Sequence, residues 1–159
     1  MRLDADKEFL LCDYCGNIHF PDPNSDGVRV LDVPAPEQCP ICSIALTHAA
    51  IGSHRILYCT RCRGMLISME TFMPLVVGLR SRRETGPDIA PAPDWNGLKR
   101  HIRCPRCARE MDTHPYGGPG NVIIDDCEHC SVNWLDYGEL QRIARAPDGH
   151  YAERDWVAP

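Results

Sequence analysis

Ten cysteines, all in C-x-x-C pairs, constrain this chain more than any other feature. The pairs leave no cysteine over: Cys12/Cys15, Cys39/Cys42, Cys59/Cys62, Cys104/Cys107 and Cys127/Cys130. The N-terminus carries acids where a signal peptide needs basic residues, so we expect a cytoplasmic protein with reduced thiols. Two thiolates three residues apart on a tight turn can bind one tetrahedral ion, and two such turns complete a four-sulfur site. The pattern therefore predicts metal, with zinc favoured over rubredoxin-like iron.

The cysteine pairs also expose an internal repeat. Each copy opens with C-P-x-C and reaches its second pair after a gap of sixteen or nineteen residues. A hairpin of two short strands fits either gap, turning at GS in the first copy and at GGPGN in the second. Each copy then runs through an apolar pair into a predicted helix. The repeat predicts two metal sites, formed by Cys39, Cys42, Cys59 and Cys62 and by Cys104, Cys107, Cys127 and Cys130.

The second copy resembles the TFIIB-type zinc-ribbon family, the transcription factor zinc-finger family. The family pattern is C-P-x-C, a spacer, and then C-x-x-C-x-G-x-W-L-D-x-G-E-L. The second copy matches it at both cysteine pairs, at Trp134-Leu135-Asp136 and at Gly138-Glu139-Leu140, and departs at Val132, where the family usually has Gly. The resemblance implies a zinc ribbon with structural zinc, and it carries no assigned activity with it.

The first copy resembles the same family more weakly. Gly64 matches the pattern, whereas Leu66, Ser68 and Thr71 replace the Trp, Asp and Glu. Together the copies predict a small metal-stabilised α+β fold made of tandem zinc ribbons, each a short antiparallel hairpin with four-cysteine knuckles followed by a short helix. Each copy has about 45 residues, close to the size at which a hydrophobic core alone is insufficient, so we expect folding to need metal.

We divide the chain into five sections on this basis. They are an N-terminal C-x-x-C section (1–38), the first ribbon with its trailing helix (39–83), a Pro/Ala-rich linker (84–98), the second ribbon with a capped helix (99–146) and a tail (147–159).

The carboxyl residues of the second copy have the spacing of a helix cap. Asp136 and Glu139 form a capping box in which the Asp136 side chain bonds the amide of Glu139 and Glu139 reaches back, opening a helix over 137–145. In the first copy Ser68 takes the cap position. Pro74 follows six residues later and predicts a kink or a restart of that helix.

We also interpret residues around the second cysteine pair of the second copy as structural. Trp134 and Leu135 are expected to cover the apolar side of the metal site. Asp125 and Asp126, at the end of a predicted strand, are interpreted as a solvated edge. The histidines beside the strands are interpreted as surface polar groups.

The pair Cys12/Cys15 is left over after two repeats. It predicts a candidate third metal site with His19 as a further ligand. Alternatively, Cys12/Cys15 bind together with Cys39/Cys42, and Cys59/Cys62 have other partners. A redox dithiol is a third interpretation, which the acidic and apolar neighbours disfavour because they oppose the thiolate.

Charge is distributed unevenly along a chain whose formal net charge is −5. Residues 39–83 hold six Arg and one acid, and a second basic cluster lies within 99–109. Candidate anion contacts are Arg61, Arg63, Arg80, Arg82 and Arg83. A solvated helix end explains the last three equally well.

Three functions follow from these features. The favoured one is a non-catalytic adaptor that binds another protein, with two zinc ions, or three if Cys12/Cys15 hold one. The alternative is a transcription-related protein that binds nucleic acid, although only Tyr58 and Tyr116 could stack on bases. Thiol redox chemistry through Cys12/Cys15 ranks third. No catalytic residue set or phosphate loop is present, so we expect no enzyme, and no apolar run predicts a membrane partner.

Overall fold

The computed structural model describes residues 21–83, 91–92 and 94–147, together with the backbone of three short strands near the N-terminus. These strands are β1 (Arg2–Asp4), β2 (Phe9–Leu11) and β3 (Ile18–His19). They form an antiparallel sheet in the order β1-β2-β3.

Seven further strands form one antiparallel sheet in the order β4-β5-β6-β7-β10-β9-β8. Their bounds are β4 Arg29–Gln38, β5 Ala45–Ile51, β6 His54–Tyr58, β7 Met65–Ser68, β8 Asp112–Pro115, β9 Ile123–Cys127 and β10 Val132–Leu135. The hairpin of β5 and β6 turns at Gly52-Ser53, where Gly52 has a φ of 59° that favours glycine. The predicted α+β fold with short antiparallel hairpins is confirmed.

The two repeats meet where β7 pairs with β10. In this ladder Leu66 lies opposite Trp134, and Met65 lies opposite Leu135. Leu66 and Trp134 each follow the last cysteine of their repeat by four residues, so they are equivalent positions. A quasi-twofold axis therefore passes through this pair and relates the two ribbons. The repeats are joined edge to edge in a single sheet.

Two α-helices follow the ribbons, α1 (Met69–Ser81) and α2 (Glu139–Arg145), and a short 3-10 helix covers Trp95–Lys99. Ser68 caps α1 as predicted, since its hydroxyl accepts the Thr71 N–H at 3.2 Å. Of the kink or restart predicted at Pro74, the restart is wrong, because α1 continues through this residue as one helix, and the kink stays a prediction. Buried side chains on both sides of the proline anchor the helix, which offsets the lost hydrogen bond.

The sheet separates two apolar cores, because successive residues of a strand point to opposite faces. On one face Met65, Ile67 and Leu135 pack in a cluster with buried residues of α1 and α2. On the other face Leu66 and Trp134 pack in a cluster with cysteines of both repeats. The expectation that Leu135 covers the metal site is therefore wrong, whereas Trp134 does lie on the metal side.

Trp134 packs against the backbone of the other repeat at Gly64. A Cβ built on Gly64 would lie 2.4 Å from Cζ2 of the Trp134 ring. The symmetry-related pair is Leu66 and Val132, both buried in the same cluster. Leu66 is smaller than the Trp of the family pattern, and Val132 is larger than its Gly. The two departures thus compensate each other.

Substitution of Gly64 by Ala should destabilise the protein by about 1–3 kcal/mol, because the added methyl overpacks the core against Trp134. Urea unfolding of the zinc-saturated natural protein and of the variant measures this difference in unfolding free energy. The cost should largely disappear in a Trp134→Leu background, which provides the missing space.

Gly78→Ala is the matched control for this change. Nothing lies within 4 Å of a Cβ at Gly78 in α1, so Ala there should be neutral or slightly stabilising. Equal destabilisation by the two substitutions would contradict the close packing at Gly64.

Candidate metal centres

The first cysteine tetrad combines the turn after β4 with the turn after β6. The Sγ atoms of Cys39, Cys42, Cys59 and Cys62 all lie within 4.8 Å of one another. The Sγ atoms of Cys39 and Cys62 are 3.6 Å apart. Four sulfurs at about 2.3 Å from a tetrahedral zinc would be roughly 3.8 Å apart, so this separation fits zinc.

The second tetrad repeats this arrangement on the other side of the quasi-twofold axis. The Sγ atoms of Cys104, Cys107, Cys127 and Cys130 also lie within 4.8 Å of one another. The distance from Cys107 Sγ to Cys127 Sγ is 3.7 Å. In both tetrads the first cysteine of each pair is buried and the second is half-buried.

Backbone amides donate to cysteine sulfur in three of the four turns, which favours sulfur ligation of a cation. The amide N–H groups of Cys42 and Cys62 donate to the Sγ atoms of Cys39 and Cys59 at 3.3 and 3.5 Å, and the Arg106 N–H donates to Cys104 Sγ at 3.4 Å. In the four cysteine pairs that the structure describes, the residue after the second cysteine has a positive φ, which the sequence did not indicate: Ser43, Arg63, Ala108 and Ser131.

Burial and neighbouring thiols oppose the ionisation of several cysteines in the tetrads. Burial raises the pKa of Cys39 and Cys104, and it raises the pKa of Cys130 to about 12, together with the neighbouring cysteines. The pKa of Cys107 is lowered to about 7, because the Arg109 backbone donates to its sulfur. A divalent ion supplies the charge that allows four clustered thiols to ionise together. Each tetrad therefore fits structural zinc, with four protein ligands and no position left for a substrate.

The third predicted site involves residues that the structure does not describe. Cys12 and Cys15 lie outside the described residues, and for His19 only the backbone within β3 is described. Within the described residues the metal-binding groups are the two tetrads. Cys39/Cys42 lie with Cys59/Cys62, as the repeat predicted and not as in the alternative pairing. The third site stays a prediction.

A buried polar cluster lies beside the second ribbon, where the sequence predicts a solvated edge. Asp125 is not part of a solvated edge, because it is 0% exposed and forms an ion pair with Arg100. The Thr113 hydroxyl also contacts the Asp125 carboxylate. Asp126 is likewise buried and bonds to His114 at 2.7 Å. Arg100 supplies the opposite charge from a distant part of the chain, and nothing in the local sequence indicated this partner.

The predicted capping box is half correct. The Asp136 N–H donates to Glu139 Oε2 at 2.7 Å, so Glu139 reaches back as expected. The Asp136 carboxylate, however, accepts from Trp134 Nε1 at 3.0 Å and pairs with Arg100. Gly138 is the N-cap residue, and α2 begins at Glu139, two residues later than predicted. The bonds of the Asp136 carboxylate to Trp134 and Arg100 replace the predicted bond to the Glu139 amide.

Burial makes the Glu139 carboxyl a weaker acid than an exposed glutamate. It raises the pKa of this carboxyl to about 7, although the Asp136 N–H favours the charged form. The carboxylates of Asp136 and Asp125 add to the rise, whereas Arg100 opposes it.

The five arginines proposed as anion contacts occupy different environments. Arg63 pairs with Asp26 and lies over the Tyr137 ring, with its Cζ atom 4.1 Å from the ring centroid. Arg80 and Arg83 donate to the carbonyl oxygens of Ile143 and Ala146 at the end of α2, at 2.5 and 2.9 Å. The remaining two are exposed: Arg61 and Arg82.

Comparison with known protein families supports a zinc ribbon at the second metal centre. Residues 103–146 match the family described as transcription factor zinc-finger, the TFIIB-type zinc ribbon. This segment contains the second tetrad and α2, so the resemblance is confirmed there, and the first tetrad is consistent with a second copy. No curated protein and no solved structure matches the chain. In the described residues no helix is long and apolar enough to cross a membrane.

We expect the chain to bind one tight zinc per tetrad. At saturating zinc, Cys59→Ser and Cys127→Ser should each remove one ion, since each replaces a thiolate ligand. Native mass spectrometry counts the ions directly. Cys12→Ser is the control, and ejection of the first-repeat zinc by this change would contradict the observed tetrad.

The raised pKa of Glu139 should make stability depend on pH. The folded state holds this proton more tightly than the unfolded state, so its contribution is present at low pH and is lost as pH rises through about 7. Relative to Glu139→Gln, the natural protein should lose about 1 kcal/mol of unfolding free energy between pH 6 and 8.

The comparison with Glu139→Gln cancels the pH dependence of zinc binding, which both proteins share. Glu70→Gln is the matched control, because Glu70 is an exposed carboxyl in the first turn of α1. Parallel pH profiles for the natural protein and Glu139→Gln would contradict the raised pKa of Glu139.

Proposed function

We propose that this protein is a non-catalytic adaptor that binds another protein, with zinc in a structural role. The observation that carries the proposal is an exposed apolar patch on α1. Met73 and Val77, one turn apart, are 51% and 60% exposed. Tyr116 extends the patch, with its hydroxyl 3.6 Å from Met73 Sδ. Exposed apolar groups clustered on one surface are typical of protein-binding sites.

The use of charged residues supports a protein partner over nucleic acid. Three of the five candidate anion contacts bond within the protein, to Asp26 or to carbonyls of α2. The two tyrosines that could stack on bases are also engaged. Tyr58 is buried, and Tyr116 packs edge-on against Phe72 with the ring centroids 5.5 Å apart.

The carboxylates around Arg100 support a role without catalysis. A raised pKa on Glu139 would suit a general acid, but its carboxylate accepts the Asp136 N–H. Asp125 and Asp136 are held by Arg100. These bonds join the strands to α2, so the cluster is explained by stability. The cytoplasm is the compartment we propose, since the thiols must stay reduced to hold zinc.

Nucleic-acid binding is the second candidate, favoured by exposed arginines near the second tetrad. Arg103 and Arg109 are exposed there, and Arg106 is exposed although it lies 3.4 Å from Glu37. Such groups would contact phosphate, and affinity would then fall steeply with salt.

The test compares two charge-changing double variants in full-length, zinc-loaded protein. Met73→Glu/Val77→Glu should abolish capture of a partner identified by crosslinking in the source cells, because charges on the patch prevent apolar contact. Arg103→Glu/Arg109→Glu is the matched control and should keep that partner. Zinc content should be unchanged in both.

The opposite pattern would overturn the adaptor proposal. Retention of the partner by the α1 variant, with salt-dependent binding of single-stranded or duplex nucleic acid that the arginine variant loses, would favour the second candidate. Failure of both nucleic acids to bind at about 50 mM salt would remove that candidate.

A further inference from the structure

The two metal centres share one apolar core. The buried cysteines of both tetrads belong to the same cluster, on the face of the sheet that carries Trp134: Cys39, Cys59, Cys104 and Cys127. Leu66 and Val132 lie in this cluster as well, one from each repeat. Both centres therefore border one core, and the pairing of Leu66 with Trp134 within it joins the two repeats.

Hydrogen bonds also connect the second centre to the first repeat. Ser131, directly after the last zinc ligand of the second tetrad, accepts the N–H of Met69 at the start of α1, at 2.9 Å. Val132 pairs with Ser68, the N-cap residue of α1. These bonds position the second tetrad's turn against an element of the first repeat.

A charged contact makes a further connection between the two repeats. Arg106 lies between the first two cysteines of the second tetrad, and its Nε is 3.4 Å from the Glu37 carboxylate. Glu37 is in β4, two residues before Cys39. The pair joins the turn of one centre to the strand that leads into the other.

From this geometry we infer that the two tetrads load zinc cooperatively, so that an ion at one site raises the affinity of the other. Zinc at the first tetrad fixes the turn that leads into β7. The ordered β7 is the partner that β10 needs, and β10 follows directly from the second tetrad. The entropy of ordering the shared strand pair and core is lost only once, at the first binding event.

Coupling between sites in proteins is typically 5- to 150-fold, and we expect about tenfold here. By reciprocity the factor is the same whichever tetrad loads first. The inference extends beyond the adaptor proposal, because it concerns loading of the centres and holds whatever the partner is.

The experiment measures zinc affinity in the full chain by competition with a chromogenic chelator. All proteins carry Cys12→Ser and Cys15→Ser, so that only the two tetrads bind. The single-site constants come from Cys59→Ser/Cys62→Ser and from Cys127→Ser/Cys130→Ser. We define the coupling ratio as the overall two-zinc association constant of the intact tetrads divided by the product of the two single-site constants. Cooperative loading requires a coupling ratio of about ten. A coupling ratio of one overturns the inference.

Trp134→Leu tests the route of the coupling. This substitution keeps all eight ligands but removes the ring that packs on Gly64. The coupling ratio should therefore fall towards one while two zinc ions still bind. Leu46→Ala is the matched control, because Leu46 is fully buried in the same cluster but lies on β5, away from the strand pair. It should lower affinity and keep the ratio.

Gly64→Ala is the second variant, in case Trp134→Leu fails to fold. Its methyl group would displace the Trp134 ring, so it should lower the ratio in the same direction. An unchanged tenfold ratio in both variants would overturn Trp134 as the route.

Discussion

The pairing of β7 with β10 is the interaction on which the rest of this structure depends. Each ribbon presents a strand, β7 or β10, with one edge that has no partner within its own repeat. Pairing these edges satisfies their backbone groups and creates a single seven-stranded sheet. It also positions α1 and α2 on one face and both cysteine tetrads around the other core. The symmetry of the repeat fixes the register, because equivalent residues lie opposite each other at the axis.

The helices interact through charged side chains as a consequence of that pairing. Arg80 and Arg83 of the α1 end reach the last carbonyls of α2, where a cation also complements the helix dipole. The basic end of the first repeat is therefore partly used inside the protein. Net charge along the sequence consequently overstates the positive surface that a polyanion could contact.

The polar cluster around Arg100 shows a different use of charge. Asp125 is wholly buried, and an unpaired carboxylate there would be strongly destabilising. Arg100 pairs with both Asp125 and Asp136, and Asp136 in turn accepts from Trp134. The family motif residues Trp134, Asp136 and Glu139 are thus held in one network. Their positions are explained by fold stability.

The sequence by itself determined the features that depend on neighbours along the chain. The spacing of the cysteines gave the two tetrads, and the serine before α1 gave its cap, because ligands and caps act over three or four residues. The short hairpins followed from apolar runs and glycine turns in the same way.

Only the tertiary structure decided which distant groups meet. Nothing local distinguishes Arg100 from its basic neighbours, yet this residue turns Asp125 from an expected surface group into a buried ion pair. Gly64 contacts Trp134 across the two repeats, so the need for a glycine there follows from the strand pairing. The same pairing explains why Leu66 and Val132 depart from the family pattern together. Local propensities cannot encode such choices, because their free energies come from burial and charge pairing between segments far apart in sequence.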